Sequence, residues 1–403
     1  MKILVVTQCF YPDVYACNDI VRILVERGHD VTVLTGLPDY TTSKVPKEYK
    51  WFRNRKQDYH GANVYRVSII ARHHGPIFRC LNYISFVVTG WLKAKFKHWD
   101  DDFDLIYVWQ VSPVTMAVPA IKLKKKLRIP LYLYCLDLWP ESIKAMGFKE
   151  GSLFYKLIGW WSRKIYGECD HVAISSEPFR QYFSSYIGFP SDKITYIPQF
   201  ASSDFLNYDL EKRPDGHLDF LFIGNIGKVQ DVDVIIKAFK KIEKIPNWTM
   251  HIVGNGSNAE SCKSLTKELG LMDRIKFYGS CPLAETPKYY RMSDACILTL
   301  NGDNLIGSTL PGKLQTYMAA GKTILGAING AGQEVIKEAS CGGCVDAGDV
   351  DGLASLIDDF IQNNSKYSEC GKKAREYFIA NFTQEQFFNA LDREMIELCN
   401  SGR

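Results

Sequence analysis

LDFLFIGNIGKVQD, residues 218–231, decides how the rest of the chain is read. LDFLFIG is a short apolar run of strand type, Gly224 and Gly227 bracket a tight Gly-x-x-Gly turn, and a helical pattern begins near Val232. A strand running through glycines into a helix is one βα unit. Such a turn lets backbone approach a phosphate, and Lys228 could add a charge. It is neither a Walker loop nor GxGxxG, and an ordinary strand-to-helix turn explains it equally well. Downstream, WTMHIVG (248–254) ends in a second glycine loop, Gly254-Asn255-Gly256. IKFYG (275–279), ACILTL (295–300), TILGAI (323–328) and GGCVDAG (342–348) follow as strands with helices between them, which predicts a Rossmann-like parallel sheet.

The third loop of this half is NLIGSTLPGKLQTYMAAG, 304–321. A polar stretch that includes Ser308 reaches Leu310 and Pro311, and a helix is predicted from about Gly312 through Leu314 and Thr316 to Ala320. The free N–H groups of its first turn, the positive end of the helix dipole and the Lys313 ammonium make a site for an anion such as a diphosphate. A capped helix after a loop is the plain alternative. Three such loops at strand ends of one sheet favour a nucleotide site.

The first half also alternates strands and helices. ILVVTQC (3–9), HDVTVLTG (29–36), VYRVSII (64–70), DLIYVWQ (104–110), IPLYLYCLD (129–137), HVAISS (171–176) and KITYIP (193–198) read as strands. NDIVRILVERG (18–28) and VTMAVPAIKLKKKL (114–127) read as helices. The polar segment 202–217 separates the halves and puts a hinge near 199–204. A chain of 403 residues with 46% hydrophobic and 23% charged residues suits two soluble domains. The opening MKILVVTQCF reads as a strand rather than a leader, and no apolar run is long enough to span a bilayer. The twelve cysteines show no zinc-type pairing and suit reduced thiols. Residues 1–200 carry 27 Lys/Arg against 18 Asp/Glu, and the remainder 22 against 27. A basic first half beside an acidic second half suggests that the first half meets something anionic.

The order of motifs resembles a known family: a YP loop after the first strand, ERGHDVTVLTGLPDY (26–40), DLWPES (137–142), YIPQFA (196–201), GNIGKVQD (224–231) and LPGKLQTYMAAGKTIL (310–325). These match the retaining glycosyltransferases of family 4, and among them bacterial O-antigen and capsule enzymes of the L-fucosamine (FucNAc) transferase type. The resemblance covers nearly the whole chain. It implies a GT-B fold, two Rossmann-like α/β domains facing an interdomain cleft. Residues 1–200 plus 384–403 would bind the acceptor, with the C-terminal helix crossing back, and residues 201–383 the nucleotide-sugar. The donor implied is a UDP-sugar, such as one carrying an N-acetylated 6-deoxyhexose. The basic and aromatic stretches of the first half point to loose association with the inner face of a bacterial cytoplasmic membrane, and so to a polyprenyl-diphosphate-linked glycan as acceptor.

Matched to the family pattern, the two glutamates of many members fall on Ser308 and Thr316. The Arg and Lys of the phosphate loop fall on Asn225 and Gln230, and a first-domain His falls on Leu136. Lys228 and Lys313 are then the candidates for neutralising the diphosphate, with electrostatic stabilisation of the departing UDP. No metal or other cofactor is expected, and Asp101-Asp102 reads as a solvated loop. In the first domain, Asp137 and Glu141 bracket LWP after a strand. They suit hydroxyl binding or proton acceptance, while a helix N-cap explains Asp137 as well. Arg72, His73 and His74 suit an acceptor phosphate or a solvated loop. FYKLIGWWSRKIYG (154–167), KAKFKHW (93–99) and IKLKKKL (121–127) suit either a membrane interface or core helices with charged outer faces. Nucleic acid is not expected, because no basic helix is patterned for a groove. A UDP-N-acetylhexosamine 2-epimerase or a non-catalytic binder are the alternatives the same fold allows.

Overall fold

The computed structural model describes residues 1–39, 43–73, 75–99, 102–146, 148–212, 215–302 and 309–401. The chain divides into two compact units, Met1–Ile197 with Leu391–Arg403, and Pro198–Ala390.

The first unit is built on eight strands: β1 (Lys2–Val6), β2 (Asp30–Thr35), β3 (Lys56–Tyr59), β4 (Ala62–Arg66), β5 (Leu105–Gln110), β6 (Leu131–Cys135), β7 (His171–Ile174) and β8 (Ile194–Tyr196). They lie in the order β3-β4-β2-β1-β5-β6-β7-β8. All pairs are parallel except β3 with β4. β1, β5 and β6 are apolar runs buried along nearly their whole length, as a sheet covered on both faces requires. The β3–β4 hairpin turns through His60 and Gly61 at φ +49° and +92°, the pair of left-handed residues that a tight hairpin needs. Its helices are α1 (Ala16–Glu26), α2 (Pro76–Phe96), α3 (Val118–Leu127) and α4 (Leu153–Gly167). Pro119 restricts the residue before it, and the predicted helix 114–127 divides into a 3-10 turn, Val114–Ala117, followed by α3.

The second unit holds β9 (Leu218–Ile223), β10 (Trp248–Val253), β11 (Ile275–Gly279), β12 (Ala295–Thr299), β13 (Thr323–Ala327) and β14 (Gly342–Val345). All are parallel, in the order β11-β10-β9-β12-β13-β14. The chain reverses its direction of travel across the sheet between β9 and β12, and the carboxyl ends at such a point are where open α/β sheets bind ligands. Its helices are α5 (Val232–Lys241), α6 (Ala259–Glu268), α7 (Thr286–Met292), α8 (Gly312–Ala319), α9 (Ala331–Glu338), α10 (Val350–Gln362) and α11 (Cys370–Asn381). One core, around Phe220, Phe239, Trp248 and Phe360, lies under α5 and α10. The other, around Leu298, Leu314, Tyr317 and Phe378, lies under α8 and α11. The last helix, α12 (Gln384–Ser401), begins in the second unit and ends in the first. There Asp392 pairs with Arg27 at 2.8 Å. All twelve cysteines are free thiols, and no described helix is long and apolar enough to cross a membrane.

Candidate functional site

The three glycine- or proline-shaped loops of the second unit meet in one cavity of about 530 Å³. The end of β9 contributes Gly224 and Asn225, the end of β10 Gly254 and Asn255, and the start of α8 Gly312, Lys313 and Thr316. Ser280, Cys281 and Leu283 after β11 form a further wall, and Phe205 and Tyr290 add apolar surface.

Backbone hydrogen bonds lace these loops together. Gly224 N–H donates to Val253 O and Ile226 N–H to Asn255 O, both at 2.9 Å, while Gly254 N–H donates to Gly279 O at 2.8 Å. The glycines therefore serve loop-to-loop contact first. A Cβ on Gly254 would lie 1.8 Å from Gly224 O, and one on Gly256 would lie 2.4 Å from Ile226 O. At 254 and 256 the group that a side chain would meet is the neighbouring loop, whereas the expected close approach of a phosphate concerns Gly224 and Gly227. Gly224 has a third role, because a Cβ there would meet Lys313 Cδ at 2.8 Å. The lysine stem crosses the loop where only a glycine leaves room.

Helix α8 is fixed one turn below its start. Tyr317 lies four residues beyond Lys313 on the same helix face. Its hydroxyl accepts from Ile223 N–H at 3.1 Å and lies 3.3 Å from Ile223 O, pinning the helix to the end of β9. Pro311 is the residue before the helix rather than its first member. The amides of Gly312 and Lys313 have no intrahelical acceptor.

Lys313 is the one charged side chain among the described residues that line the cavity. Its Nζ is buried, has no hydrogen-bond partner among the described residues, and sits 4.1 Å from the centroid of the Phe222 ring. Burial without a counter-charge lowers its pKa from 10.5 to about 7. Lys322 provides the contrast. It is also buried, but its ammonium donates to Leu210 O at 2.6 Å and Ser293 O at 2.7 Å, so it is a satisfied structural group. An ammonium left unpaired at a cavity wall is a costly arrangement unless an anion completes it.

Of the other predicted donor residues, Thr316 is on the cavity wall, and Gly227, Lys228, Gln230, Gly256, Leu310, Pro311 and Leu314 are not among its lining residues. Lys228 is exposed and is not among the lining residues, contrary to the expectation that it shares the neutralisation with Lys313. It sits in a 3-10 turn, Lys228–Gln230, whose geometry is set by Gln230. Gln230 Oε1 accepts from Asn225 Nδ2 at 3.0 Å and from Gly227 N–H at 3.1 Å. Leu314 is core and Leu310 packs against that core. Thr316 donates its hydroxyl to Gly312 O at 3.1 Å. Ser308, like His74 and Asp101, lies outside the described residues.

In the first unit Asp137 caps no helix. Its Oδ2 accepts from both the amide and the hydroxyl of Ser112 at 2.8 Å, and Trp139 Nε1 donates to the same hydroxyl at 3.0 Å. That ties the loop after β6 to the loop after β5, while Asp137 Oδ1 accepts no hydrogen bond from the described residues. Glu141 has both oxygens engaged, one by the Tyr155 hydroxyl and the other by Lys144 at 2.6 Å. Arg72 donates its amide to Asp39 Oδ2 at 2.7 Å and its guanidinium to the Tyr83 hydroxyl at 3.2 Å. His73 is exposed against Phe78.

Sequence reading passed over Asp39, which closes the motif GLPD. Asn82 donates to its Oδ2 at 2.8 Å and Gln8 Nε2 donates to Asn82 at 2.7 Å, so strands β1 and β2 and helix α2 are joined there. Burial pushes the Asp39 carboxyl up to about 6. The signal available was an acid at a strand end; its burial was not legible.

The two halves of the chain match two family models, Glycosyltransferase Family 4 over residues 16–204 and Glycosyl transferases group 1 over residues 209–377. WcaI of Escherichia coli (strain K12), a glycosyl transferase assigned to colanic acid biosynthesis, is 24% identical over 345 residues, 80% of this chain and 82% of WcaI. WbjE of Pseudomonas aeruginosa, assigned as a glycosyltransferase, is 25% identical over 265 residues, 62% of this chain and 64% of WbjE. Among solved structures, Anabaena HepE in complex with UDP superposes with a TM-score of 0.73 at 16% identity, over 98% of this chain and 100% of that one.

Proposed function

The chain belongs to the family-4 glycosyltransferases, and from that premise we propose that it is a retaining enzyme that moves a sugar from a UDP donor to a lipid-linked glycan in the assembly of a bacterial surface polysaccharide. One observation carries the reading: the buried, unpartnered Lys313 ammonium faces a cavity walled by three strand-end loops. The UDP complex of Anabaena HepE supports UDP as the nucleotide. WcaI supports a surface-glycan product. The transferred sugar is an N-acetylated 6-deoxyhexose such as L-FucNAc, the donor type that the motif order suggests.

In this proposal the diphosphate lies against Gly224, Asn225 and the first turn of α8, and the base against the apolar side near Leu283 and Tyr290. Lys313 and the Gly312 and Lys313 amides stabilise the charge that develops as UDP leaves. The acceptor hydroxyl attacks on the leaving-group face, so configuration is retained, and its proton passes to the departing phosphate. No divalent metal takes part. In the first unit Asp137 Oδ1 is free to accept from an acceptor hydroxyl, Arg72 and His73 face its phosphate, and Glu141 holds the DLWPES turn through Tyr155 and Lys144.

The test is incubation with UDP-sugars and a polyprenyl-diphosphate-linked monosaccharide, following UDP release and the product's anomeric configuration by NMR. UDP release that requires the lipid acceptor, persists in EDTA and retains the donor's configuration is expected. Conversion at C2 of the sugar without any acceptor would replace transfer with epimerisation.

A further inference from the structure

Helix α2 is amphipathic with its apolar stripe on the wrong side. Asn82, Phe86, Gly90 and Ala94 form its buried seam. Two residues further on, about 200° around the helix, runs a second stripe of Ile77, Leu81, Ile84, Val88, Leu92 and Phe96, with exposures of 38–73%. A solvent-facing helix normally turns charged residues outward. Helix α4 repeats the pattern. Tyr155, Gly159, Ser162 and Tyr166 are buried, while Leu153, Leu157, Trp160 and Trp161 are 44–87% exposed. Both helices pack against the same 3-10 turn, Val114–Ala117, which makes them neighbours in the first unit.

Charge surrounds these stripes with one sign. From Tyr59 to Trp99 the chain has six Lys/Arg and no Asp or Glu, and α4 has Lys156, Arg163 and Lys164 and no acid. Among the described residues, none of Arg79, Lys93, Lys95, Lys156, Arg163 and Lys164 pairs with a carboxylate. Several ammonium groups lie over aromatic rings instead: Lys164 is 3.9 Å from the Trp160 centroid and Lys95 is 4.9 Å from that of Phe96.

We infer that the α2–α4 face is a membrane-docking surface, its apolar stripes entering the acyl boundary of an anionic bilayer and its lysines and arginines meeting the phosphate headgroups. Apolar patches this long on an otherwise soluble fold mark interaction sites, and a stripe flanked by cations fits a lipid interface. A second copy of the chain fits poorly. A two-fold contact through this face would set cations against cations with no acid to pair them. The inference deepens the reading of a lipid-linked acceptor by naming the surface that reaches the bilayer.

Flotation of the full chain with vesicles of phosphatidylcholine, alone or mixed with phosphatidylglycerol, tests it without any sugar transfer. Binding to the anionic vesicles, a blue shift of tryptophan emission and weakening by salt are expected. Ile84→Glu with Val88→Glu should reduce partition by at least about tenfold, at unchanged circular dichroism. Lys93→Gln with Lys95→Gln should reduce the preference for anionic lipid. Failure of the wild type to bind anionic vesicles at low salt, or equal partition of the glutamate variant, would overturn the inference. So would a lipid-free dimer abolished by those glutamates, which would give the face to a second copy. UDP titration without lipid reports on the second unit alone, so failure of the docking surface and failure of the transferase reading are told apart.

Discussion

Replacing Lys313 with methionine should make the protein more stable and less able to bind UDP. The ammonium is buried without a partner, and its pKa falls from 10.5 in the unfolded chain to about 7 in the folded one. A base whose folded pKa is lowered binds its proton more readily in the unfolded chain, so its burial penalty is greatest at low pH and fades as pH rises from 7 to 10.5. Each pKa unit is worth about 1.4 kcal/mol, which puts the penalty at roughly 5 kcal/mol at pH 6, about 3 at pH 8 and about 1 at pH 9.5. Lys313→Met keeps the stem that packs on Gly224 and Phe222 and removes the charge. In chemical denaturation the variant should exceed wild type at pH 8 by up to about 3 kcal/mol, with the gap narrowing towards pH 9.5. Calorimetry should show UDP affinity lowered by about 2 kcal/mol, roughly thirtyfold, as a charge-assisted contact is lost. Wild type should take up about 0.9 proton per UDP bound at pH 8, seen as a dependence of the heat on buffer ionisation, and the variant none. A variant no more stable than wild type at pH 8, or one that keeps wild-type UDP affinity, would refute the reasoning.

Other substitutions probe neighbouring parts of the account. Gly254→Ala places a methyl 1.8 Å from Gly224 O, and should cost at least about 2–3 kcal/mol in urea denaturation while abolishing detectable UDP binding. Tyr317→Phe removes the hydroxyl that pins α8 to Ile223; a loss of about 1–2 kcal/mol in stability and a several-fold weaker UDP affinity are expected from melting and calorimetry. Asp39 has a folded carboxyl raised to about 6, so its contribution to stability declines as pH rises from its ordinary range through 6. Asp39→Asn should therefore raise the melting temperature at pH 7.5 more than at pH 4.5.

The parallel strands of the two sheets were legible because they are continuous apolar runs closed by glycine or polar loops. β1, β5 and β9 show this most plainly. β3 was not, since KQDY has no β-branched residue and owes its pairing to the His60–Gly61 turn. Helix α2 was missed for the opposite reason. Apolar residues on both faces of YISFVVTGWL erase the 3.6-residue period, and that second apolar face is the feature that sets the helix apart. In the candidate site, sequence placed Lys313 at a helix start beside the glycine loops. It gave no sign that the ammonium is buried over Phe222 while Lys228 stays outside, because burial depends on how Gly224 and Gly254 let the loops close. The wall after β11, Ser280 to Leu283, carries no recognisable spacing and emerged only with the fold.

The most direct test of the central claim is calorimetric titration of the wild-type chain with UDP, UMP and GDP, each with magnesium and with EDTA. A diphosphate site built on Lys313 and the start of α8 predicts that UDP binds well above UMP and equally in both media. UDP binding no tighter than UMP would contradict a diphosphate site, and no nucleotide binding at all would leave the cavity without the role proposed for it.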